Sequence, residues 1–294
     1  MRGIRRQLRL AAIILILHPA GYAVAGSDTI FTRIATDEDE QPRALQMSIV
    51  TYVSQDHGSA ISVDLVSAIH IGDPSYYAEL NERFRDYDVL LYELVAPQDA
   101  VANNRLEQRK GFLSNAQIGM TKMLSLSFQL DEVSYDQANF VHADLSPSEL
   151  RQSMDDRGES LYVYFWRIFF ASLDEYAKDP LGLKDWELLS AMLASDQGDS
   201  LKTMIAYEMT NLDQVQDILG EDSGSAIIGA RNERAVEVLQ REAESGAQHI
   251  GIFYGVAHMP DLEARVVNQL GFVYDKTVWV DAWQLGPEPQ NSVE

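Results

Sequence analysis

Cysteine is absent from all 294 residues, which excludes disulfides, thiolate nucleophiles, iron–sulfur clusters and thiolate-held zinc. Any metal would fall to His, Asp or Glu. Basic residues are scarce: 23 Lys plus Arg stand against 45 Asp plus Glu, a formal charge of -22. A chain this acidic lacks the basic face that a phosphate backbone demands, so nucleic acid is not an expected partner. The apolar run Leu10–Leu17 is too short to cross a membrane. There is no Gly-rich phosphate loop, no G-x-S-x-G elbow and no H-E-x-x-H helix, which weakens nucleotide-binding, serine-hydrolase and standard zinc-protease readings.

What is present suffices for a substantial core. A 46% hydrophobic fraction excludes general disorder, and the length suits one large domain or an α/β core with an insertion. Arg2, Arg5, Arg6 and Arg9 precede the apolar run, and Ala23-Val24-Ala25 follows it. A basic head, a short apolar middle and an A-x-A tail are the parts of a secretory signal. We therefore expect residues 1–25 to be a signal peptide and residues 26–294 a periplasmic or secreted protein with no membrane span after cleavage.

Alternating apolar and β-branched residues in Leu45–Val53 and Ala60–Ile69 suggest a hairpin. Pro74 opens a helical pattern through Arg85 in which Tyr77, Leu80 and Phe84 share a face. Residues 88–95 form a nearly continuous apolar run, as in a strand buried on both sides. Strand, helix and strand over 60–95 read as a βαβ unit, so the strands at 60–69 and 88–95 are expected to be parallel neighbours. The strand His249–Val256 should join the same sheet, followed by a helix at Leu262–Leu270 and a strand over Gly271–Ala282. The span of about 98–245 is mostly helical in composition, a helical insertion in the α/β core. Ser146 and Glu149 have capping-box spacing. The crowded aromatics of Leu161–Phe170 suit a helix buried against its neighbours, or a hydrophobic groove or membrane-facing patch.

Three residues stand out by position. His70 ends one expected strand, Glu93 lies near the end of the next, and His258 follows a third. Ligands and catalytic groups gather at the carboxyl ends of strands in open α/β sheets. Two histidines and a glutamate there form the minimum set for a His₂Glu metal site with an open position. A lone histidine at a strand end is more often a hydrogen-bonded surface or interface group, but Glu93 on a buried strand needs a partner. Arg231 could hold a carboxylate or a developing oxyanion, or be an ordinary surface arginine. Asp73 is expected to cap the helix at Pro74. Asp64 could face either side of its strand, and His142 with Asp144 reads as a structural turn or as a further functional pair.

These residues resemble the TraB/PrgY/GumN superfamily, which includes the Tiki proteases and is distantly related to ChaN and the erythromycin esterases. Its marks are two G-x-x-H motifs, a glutamate ending the strand after the first, and an arginine-asparagine pair before the second. Here they fall on Ser67–His70, Glu93, Arg231-Asn232 and Gly255–His258. The likeness extends to Val141-His142-Ala143-Asp144 and to Trp279-Val280-Asp281-Ala282-Trp283, and covers roughly residues 45–283. Ser67 replaces the first glycine, and Ala230 stands where many relatives carry an acid. The resemblance implies a mixed, largely parallel α/β sheet of the Tiki/ChaN/erythromycin-esterase type with a large helical insertion. It also implies an exported metal-dependent hydrolase, most readily a peptidase acting on a peptide or small-molecule substrate. His70, Glu93 and His258 would hold Mn, Co or Zn, and Arg231 would bind substrate. Two other functions fit the same fold: a binding or quality-control protein for haem, peptide or a protein partner, and a metal-independent hydrolase. In the latter His70 or His258 would be the general base, oriented by Glu93.

Overall fold

A computed structural model describes residues 29–55, 61–95, 126–159, 197–210 and 225–285. The signal-like residues 1–25 and the aromatic segment 161–170 lie outside them. The sequence builds β1 (Thr32–Thr36), β2 (Pro42–Ser54), β3 (Ser62–Ala68), β4 (Ile71–Gly72), α1 (Pro74–Phe84) and β5 (Val89–Tyr92). It continues with β6 (Ser127–Phe128), α2 (Gln129–Glu132), β7 (Phe140–His142), α3 (Pro147–Asp156), α4 (Gln197–Met209) and α5 (Gly229–Glu244). β8 (His249–Gly255), a 3-10 turn (Val256–His258), α6 (Met259–Asn268) and β9 (Phe272–Gln284) complete it.

The expected hairpin forms: β2 and β3 pair antiparallel, with Val50 opposite Leu65. β2 is buried on both faces because its alternate residues feed two different cores. Leu45, Met47 and Ile49 pack with Tyr76, Tyr77, Leu80 and Phe84 of α1. Val50 and Tyr52 lie on the other side with Ala235 and Leu239 of α5 and Leu262 and Val266 of α6. The sheet is therefore the middle layer between helices, an arrangement that accounts for the unbroken apolar runs.

Strand order in the main sheet is β1-β2-β3-β8-β5-β7, with β9 antiparallel on β2. β3, β8, β5 and β7 are mutually parallel, whereas β1, β2, β3 and β9 pair antiparallel around β2. The sheet is thus mixed in even measure, not largely parallel. β3 and β5 run parallel as expected but are not neighbours. The crossover through α1 skips one position, and β8, arriving from the end of the chain, fills it. Its Gly251 lets it in: a Cβ there would come within 2.6 Å of Leu90 and 3.0 Å of Tyr87.

The span 98–245 contains helices, but also strands: β7 extends the main sheet, and β6 pairs with β4. The capping box at Ser146 and Glu149 is present in both directions. Asp73 sits at the N-cap of α1 without making a capping bond. Its carboxylate instead takes the buried Lys202 Nζ at 2.8 Å and the Gln284 N–H at 2.6 Å, a charged donor outcompeting the local amides. Asp64 accepts from Tyr87 and lies 3.4 Å from His249, near the start of β8 and away from its carboxyl end. Among the described residues no helix is long and apolar enough to cross a membrane.

Candidate functional site

The parallel strands deliver their carboxyl ends to one edge. The Glu93 N–H donates to the Phe253 carbonyl, continuing β5 along β8 for one more residue. Ala68 is opposite Gly255, so His70 and the turn carrying His258 emerge side by side. The three residues converge on the same volume. A Cβ placed on Gly255 would sit 3.2 Å from Glu93 Oε2, 3.9 Å from His70 Nε2 and 3.9 Å from His258 Cδ2. Gly255 has an ordinary φ of -52°, so a side chain here would meet crowding against the Glu93 carboxylate and not backbone strain. Its N–H donates to Glu93 Oε2 at 2.6 Å. Ser67, in the first motif, is accommodated because its hydroxyl pairs with Ser48 on β2.

Arg231 is no surface arginine. It lies in the first turn of α5, 9% exposed, and is held between two carboxylates. Nε and Nη2 form a fork on Asp144 at 2.8 and 2.6 Å, and Nη2 also reaches Glu93 Oε1 at 2.6 Å. Burial alone would favour a neutral guanidine, but the bonds to Asp144 and the charge of Glu93 outweigh it and raise the pKa above its ordinary value. Asp144, expected in a structural turn, is therefore a member of the site. Its loop is fixed by the Tyr254 hydroxyl donating to the Ala143 carbonyl at 2.6 Å. His142 does not pair with it; that ring bonds the Leu94 carbonyl at 2.7 Å.

Burial pushes Glu93 toward its neutral form, but His258, Arg231, His70 and the Gly255 amide pull it down to about 2. His258 is itself lowered by burial to about 4, so at neutral pH it is uncharged and Arg231 is the partner that keeps Glu93 ionised. The tautomer of His258 follows from its neighbours. Asn232 Nδ2 donates to the His258 carbonyl at 3.1 Å and to Asp261 at 2.8 Å. Asn232 Oδ1 therefore accepts from His258 Nδ1–H at 2.6 Å, and the Nε2 lone pair faces Arg231 Nη1 at 3.4 Å. His70 is the exposed member of the group, with Nδ1 3.2 Å from Gln129 Oε1. Sequence reasoning singled out Asp144 but paired it with His142 and not Arg231; it missed Gln129, which sits on no periodic segment that marks a strand end.

His70, Glu93 and His258 are donors of the type a divalent cation takes. In the structure Glu93 and His258 are both paired with Arg231. Both Glu93 oxygens already accept N–H bonds, and the His258 lone pair faces a guanidinium. Among the described residues no group of three His, Asp or Glu side chains is disposed to hold a metal ion. A cavity of about 360 Å³ lies between α3 and α5, lined in part by Glu149, Ser153, Ala230 and Arg234; His70, Glu93, Arg231 and His258 do not line it. No family model, curated protein or solved structure matches this chain.

Proposed function

We propose that the chain is a hydrolase of carbonyl substrates, an ester, lactone or peptide, working by general base and oxyanion chemistry. The observation that carries this reading is an exposed histidine, His70, turned toward a buried and ionised Glu93–Arg231 pair. His70 Nε2 would take a proton from a water whose oxygen attacks the carbonyl carbon. Arg231 Nη1, the guanidinium nitrogen not committed to a carboxylate, would receive the developing oxyanion. Its 3.4 Å contact with His258 is long and readily redirected to a substrate oxygen. As the tetrahedral intermediate collapses, His70 returns the proton to the leaving group. Glu93 and Asp144 fix the guanidinium and keep it charged. We read the protein as exported, from its N-terminal pattern, and as a relative of the TraB/PrgY/GumN group, from its motifs.

A second reading, a divalent-metal hydrolase using His70, Glu93 and His258, is favoured by the gathering of those three around Gly255. A panel of chromogenic esters, lactones and peptides, assayed with and without Mn²⁺, Co²⁺ or Zn²⁺, separates the two. The first reading expects metal-independent turnover of one substrate class, reduced about a hundredfold or more in His70→Ala. Undiminished turnover in folded His70→Ala would contradict both. Stoichiometric metal binding lost in His70→Ala and in His258→Ala would favour the second.

A further inference from the structure

We infer that Gln129 is the positioning residue that sets the tautomer of His70, as Asn232 sets that of His258. The inference deepens the proposed function and rests on the reading of His70 as the base. Gln129 is 6% exposed and follows the two-residue strand β6, which pairs with β4 immediately after His70. Its backbone N–H donates to the His70 carbonyl at 2.9 Å, so main chain and side chain bracket the same residue. The side-chain Nε2 donates to the Tyr135 hydroxyl at 2.8 Å. That leaves Oε1, which can only accept, as the atom 3.2 Å from His70 Nδ1. Nδ1 therefore carries the hydrogen, and the lone pair is on Nε2, the nitrogen near Gly255 and Glu93. The far end of the amide is fixed in turn, since Tyr135 packs on Tyr92 with ring centroids 5.2 Å apart.

The two histidines thus share one device: an amide oxygen on Nδ1 and a lone pair on Nε2. A carboxylate would orient the ring equally well but would add a negative charge. The site already sets Glu93 and Asp144 against Arg231, and a neutral amide orients His70 without deepening that imbalance.

The test is the ring-nitrogen NMR spectrum of full-length protein labelled with ¹⁵N-histidine, at about pH 9 where ordinary histidines are neutral. Signals are assigned with His70→Gln and His258→Gln. We expect Nδ1–H with unprotonated Nε2 for both rings in the wild type. Gln129→Leu should shift His70 toward the Nε2–H form while the His258 pattern, the control for an intact site, is unchanged. Gln129→Glu, which keeps an acceptor oxygen, should restore Nδ1–H. An Nε2–H His70 in the wild type would overturn the inference, whatever the variants do. So would a His70 unmoved in Gln129→Leu. A tautomer shift with full hydrolytic activity would uphold the role of Gln129 and defeat the reading of His70 as the base.

Discussion

At 4% exposure His258 is shielded from water, and that burial lowers its pKa to about 4. In the unfolded chain the same ring takes its proton near 6.5. The stability gained by holding it neutral is complete above pH 6.5, declines as pH falls toward 4, and changes no further once both states bind the proton. Across that window the shift corresponds to a loss on the order of 3 kcal/mol. Glu93 acts lower on the scale. Its depressed pKa gives stability that is present above 4.5 and lost as pH falls toward 2. Urea unfolding at pH 7.5 and at pH 4.5 should show a marked acid loss in the wild type and a shallower one in His258→Gln. Equal losses in the two proteins would mean that His258 is not the group responsible.

Elements are tied together by bonds that local sequence does not announce. Asp73 precedes a proline at a helix start, a setting that points to capping, yet its carboxylate joins α4 through Lys202 and β9 through the Gln284 amide. Both charged side chains are nearly buried, at 13% and 8% exposure. Removing the anion strands a buried ammonium, so Asp73→Ala should cost roughly 3–5 kcal/mol in denaturant unfolding. Lys202→Met should cost less, because Asp73 keeps its amide donor. A larger loss in Lys202→Met would reverse this account. Strand neighbours were hidden for a related reason. The run Val89-Leu90-Leu91-Tyr92 announces burial on both faces, but not that β8 lies beside it, more than a hundred residues later in the chain. The hairpin, α1 and β9 were legible because their periodicity is local.

Over the whole molecule, the strand-end positions of His70, Glu93 and His258 could be read from the sequence because each follows a recognisable apolar run. Their convergence depends on β3, β8 and β5 lying in that order with their carboxyl ends at one edge. The partner of Asp144 and the place of Gln129 could not be read so, since short segments after β7 and β6 bring them in and only tertiary contacts reveal their targets. The acidic balance of the chain makes Arg231 the more telling: it is a buried cation shared by two carboxylates at the convergence point. Glu93 joins that cation to the β8 backbone and, through space, to both histidines, so the hydrolytic account stands or falls with it. The decisive measurement is kcat/KM of Glu93→Gln on the substrate class turned over by the wild type, taken on protein shown by its melting curve to be folded. The account predicts a loss of at least about tenfold, the lower end for groups that support a reacting center. Full activity in the folded variant would contradict it.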